Sequence, residues 1–340
     1  MAQRPNPFRA AMASLITINP HPVQAVKASL KRLVKPPLDL HATLTIKTGD
    51  EVSSLALGQW DGQDIIMSGC DHTAQVWDAA GNVVGLPIPN DPGYEVFSVA
   101  LRRLGDQDFI MSHGFNGLQR WNPSGDPVGP VITDANFPLA TGRLEGQDVI
   151  IAFSRTGDGD VAIWDAEGRL IRPLFSEPPV ITALAIGRLN DQDVIVFGDP
   201  DGNIHMADAS GRRIGRPLTI HTGEISSLVI TKLAGQDTIV SGSWDCTVRL
   251  WDADGQPIHP LTGYWDRVKS VAVGTLNGRE IIAAAGEDGV GIWDTEGEHL
   301  GTITRTEAAA VAIGQFAGRD VIVTGHETEV RIWGADSPGA

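Results

Sequence analysis

Beyond residue 41 the chain reads as short apolar runs separated by polar turns rich in Gly and Asp. The pattern is clearest at Ser241–Asp252 (SGSWDCTVRLWD), which reads as a strand end, a tight polar turn and a second strand closing on Trp251-Asp252. Weaker copies align at Trp77, Trp121, Trp164, Ala207, Trp251, Trp293 and Trp333, at intervals of 44, 43, 43, 44, 42 and 40 residues. A second marker keeps step: Gln63-Asp64, Gln107-Asp108, Gln147-Asp148, Gln192-Asp193, Gln236-Asp237, Arg279-Glu280 and Arg319-Asp320. Each precedes an apolar run that reads as a fully buried strand. Within a copy an apolar strand comes first (Val52 to Leu57, Ile181 to Ile186, Val268 to Val273), and a turn such as Asn277-Gly278 leads into the buried strand. A third strand ends at the Trp, and a Gly turn leads to a fourth, outer strand such as Ile214 to Thr219.

A fixed period in the forties with strand content is the signature of a four-stranded propeller blade. No such unit buries both faces alone, whereas sheets packed around an axis do so and leave only short edges. The expected fold is therefore all-β, a seven-bladed propeller with four antiparallel strands per blade. The last copy stops soon after Trp333 without an outer strand, while residues 42–46 resemble a fourth strand with no blade before it. This N-terminal strand is expected to complete the seventh blade and close the ring. The domain reading is a basic extension over 1–41, the propeller over 42–336 and a tail over 337–340.

With these copies in view, the chain resembles WD-repeat β-propellers, and its "GRLNDQDVIVFG" and "GQDTIVSGSWDCTVRLWD" phrasing is similar to bacterial WD-repeat arrays. The resemblance covers residues 42–333. It implies a hydrogen-bonded tetrad in each repeat: a His before the first strand, a Ser or Thr on the second, an Asp in the next turn, and the Trp. The fifth copy carries all four, as His221, Ser241, Asp245 and Trp251. A buried indole N–H and imidazole each need a partner, so the arrangement is physically sound. Elsewhere the pattern departs: Lys47 and Tyr264 take the His place, Phe153 and Phe197 fall near the Ser place, and Ala207 replaces the Trp. Packing is expected to hold those blades more than the polar network does.

Composition supports one large core, with 42% hydrophobic and 20% charged residues among 340. Residues 1–41 carry six basic side chains against the single acid Asp39, while the whole chain has a net charge of −16. Val23, Val26, Leu30 and Leu33 share one helical face over 22–35, with Lys27, Lys31 and Arg32 turned away. Three readings of this extension stand: a loosely docked tail, a basic amphipathic helix for a membrane surface or acidic partner, and an organelle transit peptide. No apolar stretch reaches transmembrane length, and none reads as a secretory signal. Cys70 and Cys246 lie in equivalent turns of distant blades, which disfavours a disulfide and suits a reducing compartment, the cytoplasm.

Signals for catalysis are weak. Asp158/Asp160, Asp199/Asp201 and Glu287/Asp288 lie in the turn between second and third strands, where Asp and Gly are ordinary turn formers. Histidines and cysteines show no metal-ligand spacing, so no catalytic residue, metal or cofactor is assigned. The acidic ring repels phosphate, which argues against nucleic acid. Arg103, Arg143, Arg188 and Lys232 are expected to pair with Asp108, Asp148, Asp193 and Asp237 a few residues on. One end of the ring gathers side chains the repeat does not require: Tyr94, Phe115, Phe137, Arg155, Trp244, Trp265 and Arg267. Trp, Tyr and Arg dominate interface energetics. The expected function, implied by the resemblance, is a non-catalytic, monomeric scaffold binding a protein or peptide through that end. The alternatives are an enzyme using the axial channel for a small molecule or metal, and a membrane-recruited adaptor anchored through residues 22–35.

Overall fold

The computed structural model describes residues 40–335 apart from 61, 71–72, 86–87, 90–95, 105–106, 115–116, 123–124, 134, 155–160, 176–179 and 262–265. The fold below is that of the unit Leu38–Ala340. The expectations for the 22–35 helix and for the 337–340 tail lie outside the described residues. No helix among the described residues is long and apolar enough to cross a membrane.

Seven antiparallel sheets follow one another along the chain, six with four strands and one with three. Their first strands are Val52–Trp60, Val96–Leu104, Ala135–Leu144, Ala183–Leu189, Ile225–Leu233, Val268–Leu276 and Ala310–Phe316, numbered here as blades one to seven. Each packs beside the next, and the last meets the first, so the sheets form a ring. The seventh blade is closed by Leu40–Lys47, which runs antiparallel to Glu329–Ala335 with Ile46 opposite Val330. The predicted closure by an N-terminal strand is what the structure shows.

Blade two takes its fourth position from an irregular segment. It meets the third strand, Gly117–Trp121, at the isolated bridges Leu118–Ile132 and Trp121–Pro127. Pro127 and Pro130 lack N–H groups for a ladder, which confines that segment to isolated bridges.

Glycines set the blade-to-blade approach. At Gly198 a Cβ would lie 2.4 Å from Ile225 Cβ of the next blade, and at Gly325 it would lie 2.6 Å from Val52 Cγ1. Hydroxyls also stitch one blade to the next: Ser53, Thr182 and Ser226 donate to Val96 O, Ile225 O and Val268 O at 2.5–2.6 Å.

The recurrent acids do two different jobs. The Asp after each repeat Trp shapes the turn to the outer strand, as when Asp252 Oδ1 accepts the N–H groups of Asp254 (3.0 Å) and Gln256 (2.7 Å). Asp78, Asp165, Asp208 and Asp294 repeat this geometry. The acid of the second marker reaches backwards to the preceding blade. Asp193, Asp237 and Glu280 accept the backbone N–H groups of Glu145, Asn190 and Ala234. Those three residues open tight turns at φ of 52°, 50° and 49°, the left-handed geometry of a two-residue hairpin. Three of the expected local pairs are present, Arg143–Asp148 at 3.6 Å, Arg188–Asp193 at 3.4 Å and Lys232–Asp237 at 3.2 Å, and the Arg103–Asp108 side chains lie outside the described residues.

Candidate functional site

The turn between the second and third strands of blade five, Gln236–Ser243 and Val248–Asp252, is fixed from beneath by a polar chain. Trp251 Nε1 donates to Ser241 Oγ at 2.9 Å, and Ser241 Oγ lies 2.8 Å from His221 Nε2. The other imidazole nitrogen, Nδ1, meets Asp245 Oδ2 at 2.8 Å. Burial alone would raise the Asp245 carboxyl, but hydrogen bonds from His221, Thr247 and the Thr222 amide hold it well below the ordinary carboxylate range. The His221 side chain is wholly buried, so this carboxylate is a rigid internal anchor.

Directly before that anchor stands Trp244, which is 44% exposed. The Trp244 backbone N–H donates to Glu224 O at 2.9 Å, which pins the turn to the loop leading into blade five. From the loop leading into blade six, Arg267 lays its guanidinium carbon 5.2 Å from the Trp244 ring centroid. An Arg over an indole face is attractive through the ring quadrupole and preorganises both groups. Two of the seven residues expected at a partner surface are thus brought together, on a framework that leaves the indole open to solvent.

The other five fall differently. Tyr94, Phe115, Arg155 and Trp265 lie outside the described residues. Phe137 stands inside the first strand of blade three rather than in the loop before it, at a register shift between Ala152 and Phe153 of the facing strand.

The remaining blades correct parts of the tetrad reading. Lys47, expected in the His place, lies in the closing strand and pairs with Glu329. The loop from Lys47 to Val52 is one residue longer than that from His221 to Ile225, which leaves the lysine within the strand. In blade three the Ser place belongs to Ala152, two residues past the Ile150–Trp164 pair, and not to Phe153. Indole-to-hydroxyl bonds also recur outside blade five, at Trp77–Ser68, Trp121–Ser112 and Trp333–Thr324. Blade four replaces the network: Phe197 occupies the Ser place and stacks on His205, whose Nε2 meets Asp199 Oδ2 at 3.0 Å. Sequence spacing carried no signal for that pair, since neither residue occupies a tetrad position.

Among the described residues no group of three or more His, Cys, Asp and Glu side chains is placed to hold a metal ion. A family model described as WD domain, G-beta repeat matches residues 213–252, from the outer strand of blade four to the end of the third strand of blade five. No curated protein matches the chain.

Proposed function

Since the chain is a WD-repeat β-propeller, we propose that it works as a non-catalytic platform for a protein or peptide partner, held at the end that carries Trp244 and Arg267. WD40 propellers commonly mediate protein–protein interaction. The observation that carries the reading for this chain is the exposed Trp244 indole paired with Arg267 above a buried, hydrogen-bonded anchor. A rigid amphipathic ring and a preorganised guanidinium lose little conformational freedom on binding, which is the character of an interface hot spot. Cys246 is a free cysteine, which supports placing the platform in a reducing compartment such as the cytoplasm.

The test is affinity capture from native lysate with the wild type beside Trp244→Ala/Arg267→Ala, both checked for equal melting temperature. A partner held by the wild type and lost from the double variant supports the reading. Identical capture by both chains removes this end of the ring from the interaction.

A further inference from the structure

At the opposite end of the blades, the turns between first and second strands and those after the repeat Trp come together. There a cavity of about 570 Å³ opens where blades six, seven and one meet. Its walls include Leu44, Phe316, Val321 and Ile332, and its polar groups include Asn277 and Arg319.

Blade six shows how a guanidinium at this place can be paired within the blade. Arg279 opens its second strand, and its Nη2 lies 3.1 Å from Oδ2 of Asp294, the acid that follows the repeat Trp. Arg319 is the counterpart of Arg279 in blade seven, two residues ahead of Val321 as Arg279 is two ahead of Ile281. The register carries the match further, because Ile282 faces Trp293 and Ile322 faces Trp333. The residue after Trp333, however, is Gly334, and no carboxylate stands there. Among the described residues Arg319 has neither an ion pair nor a side-chain hydrogen bond, and it is exposed where Arg279 is half-buried. Gly334 lines the same cavity as Arg319. The cavity therefore combines a guanidinium, the gap left by its missing acid, and apolar walls.

We propose that this cavity is a binding site for a small organic monocarboxylate, with Arg319 as its charge partner. A guanidinium fork matches a carboxylate in two parallel N–H···O bonds, a geometry a lone ammonium does not provide. The volume lies within the ordinary range for small-molecule sites. Leu44, Phe316 and Ile332 favour an apolar body behind the acid group. Asp320 also lines the cavity, and Gln315 Nε2 donates to it at 3.4 Å. This fixed negative charge selects against a dianion.

The probes are sodium benzoate and the neutral isostere benzamide, titrated into the full chain and followed by the backbone amide resonances of Asn277, Gly318 and Gly334. Benzoate is expected to bind the wild type at least tenfold more tightly than benzamide. Arg319→Gln, which installs the residue found at this place in blades one to five, is expected to reduce benzoate to the benzamide level. Gly334→Asp restores the internal acid: a Cβ there meets only Thr43 Cγ2, at 3.4 Å, so the variant is expected to fold and to lose benzoate binding. Equal affinity of the wild type for the two probes overturns the proposal, as does benzoate binding undiminished in either variant. Because the Trp244 end is untouched in both variants, this outcome is independent of partner capture.

Discussion

The Trp251 indole donates to the Ser241 hydroxyl, and that single bond sets the direction of a hydrogen-bond chain through blade five. With its oxygen accepting from Trp251, the hydroxyl donates its own O–H to His221 Nε2. Nδ1–H of the imidazole then points at Asp245, so every polar group of the tetrad has a role for one tautomer. Ser241→Ala leaves the indole and the imidazole without their shared partner in a buried site. The expected loss is about 1–3 kcal/mol, read as a lower urea midpoint with an unchanged slope.

The seam between blades four and five tolerates no side chain at Gly198. Its backbone is not in the left-handed region, so any cost of Gly198→Ala comes from the Ile225 contact and not from φ. Overpacking of this kind costs about 1–3 kcal/mol. Gly334→Ala, whose nearest neighbour would be 3.4 Å away, is expected to unfold within error of the wild type in the same urea series.

His113 in blade two is fully buried, and burial holds its pKa down to about 4, with a backbone contact at Ala135 opposing. Its folded-state value lies below the unfolded one, so its stabilising contribution is complete above pH 6.5 and is lost as pH falls toward 4. The size is roughly 3 kcal/mol from a constant of 1.36 kcal/mol per unit. Urea midpoints at pH 7, 5.5 and 4 are expected to fall less steeply for His113→Gln than for the wild type. Parallel curves for the two chains would rule the linkage out.

Closure of the ring rests on Leu40–Lys47. Removing residues 1–47 uncovers the edge of Glu329–Ala335 and takes away Ile46, which is buried in the core of blades seven and one. That variant is expected to melt lower and to self-associate through the open edge, whereas a chain lacking only residues 1–37 keeps the strand. Size-exclusion chromatography and thermal melting of both chains distinguish the two outcomes.

The ring itself was legible in the sequence because its markers are local. A Trp closing a strand and an acid before an apolar run need no partner to be recognised, and seven repetitions fix the period. What escaped were interactions whose second member has no side-chain signature. Asp193 and Asp237 cap the backbone N–H groups of Glu145 and Asn190 in the preceding blade, and a backbone amide leaves no trace in the residue code. The Trp244–Arg267 contact was visible only as two suitable residues near one end, because their approach depends on how blades five and six are set. Phe153, read as near the Ser place, stands one position past it, which in a strand is the difference between opposite faces.

Capping across the seam also gives the ring a polarity. A turn in blade four waits for an acid that arrives with blade five, and blade five's own turn waits for blade six. The mechanical unit is therefore staggered against the sequence repeat, like bricks whose mortar belongs to the next brick. Chimeras that exchange material at the repeat Trp separate each turn from the acid that holds it. An exchanged piece that runs from a hairpin turn through the second strand of the following blade, as from Asn190 to beyond Asp237, keeps lock and key together.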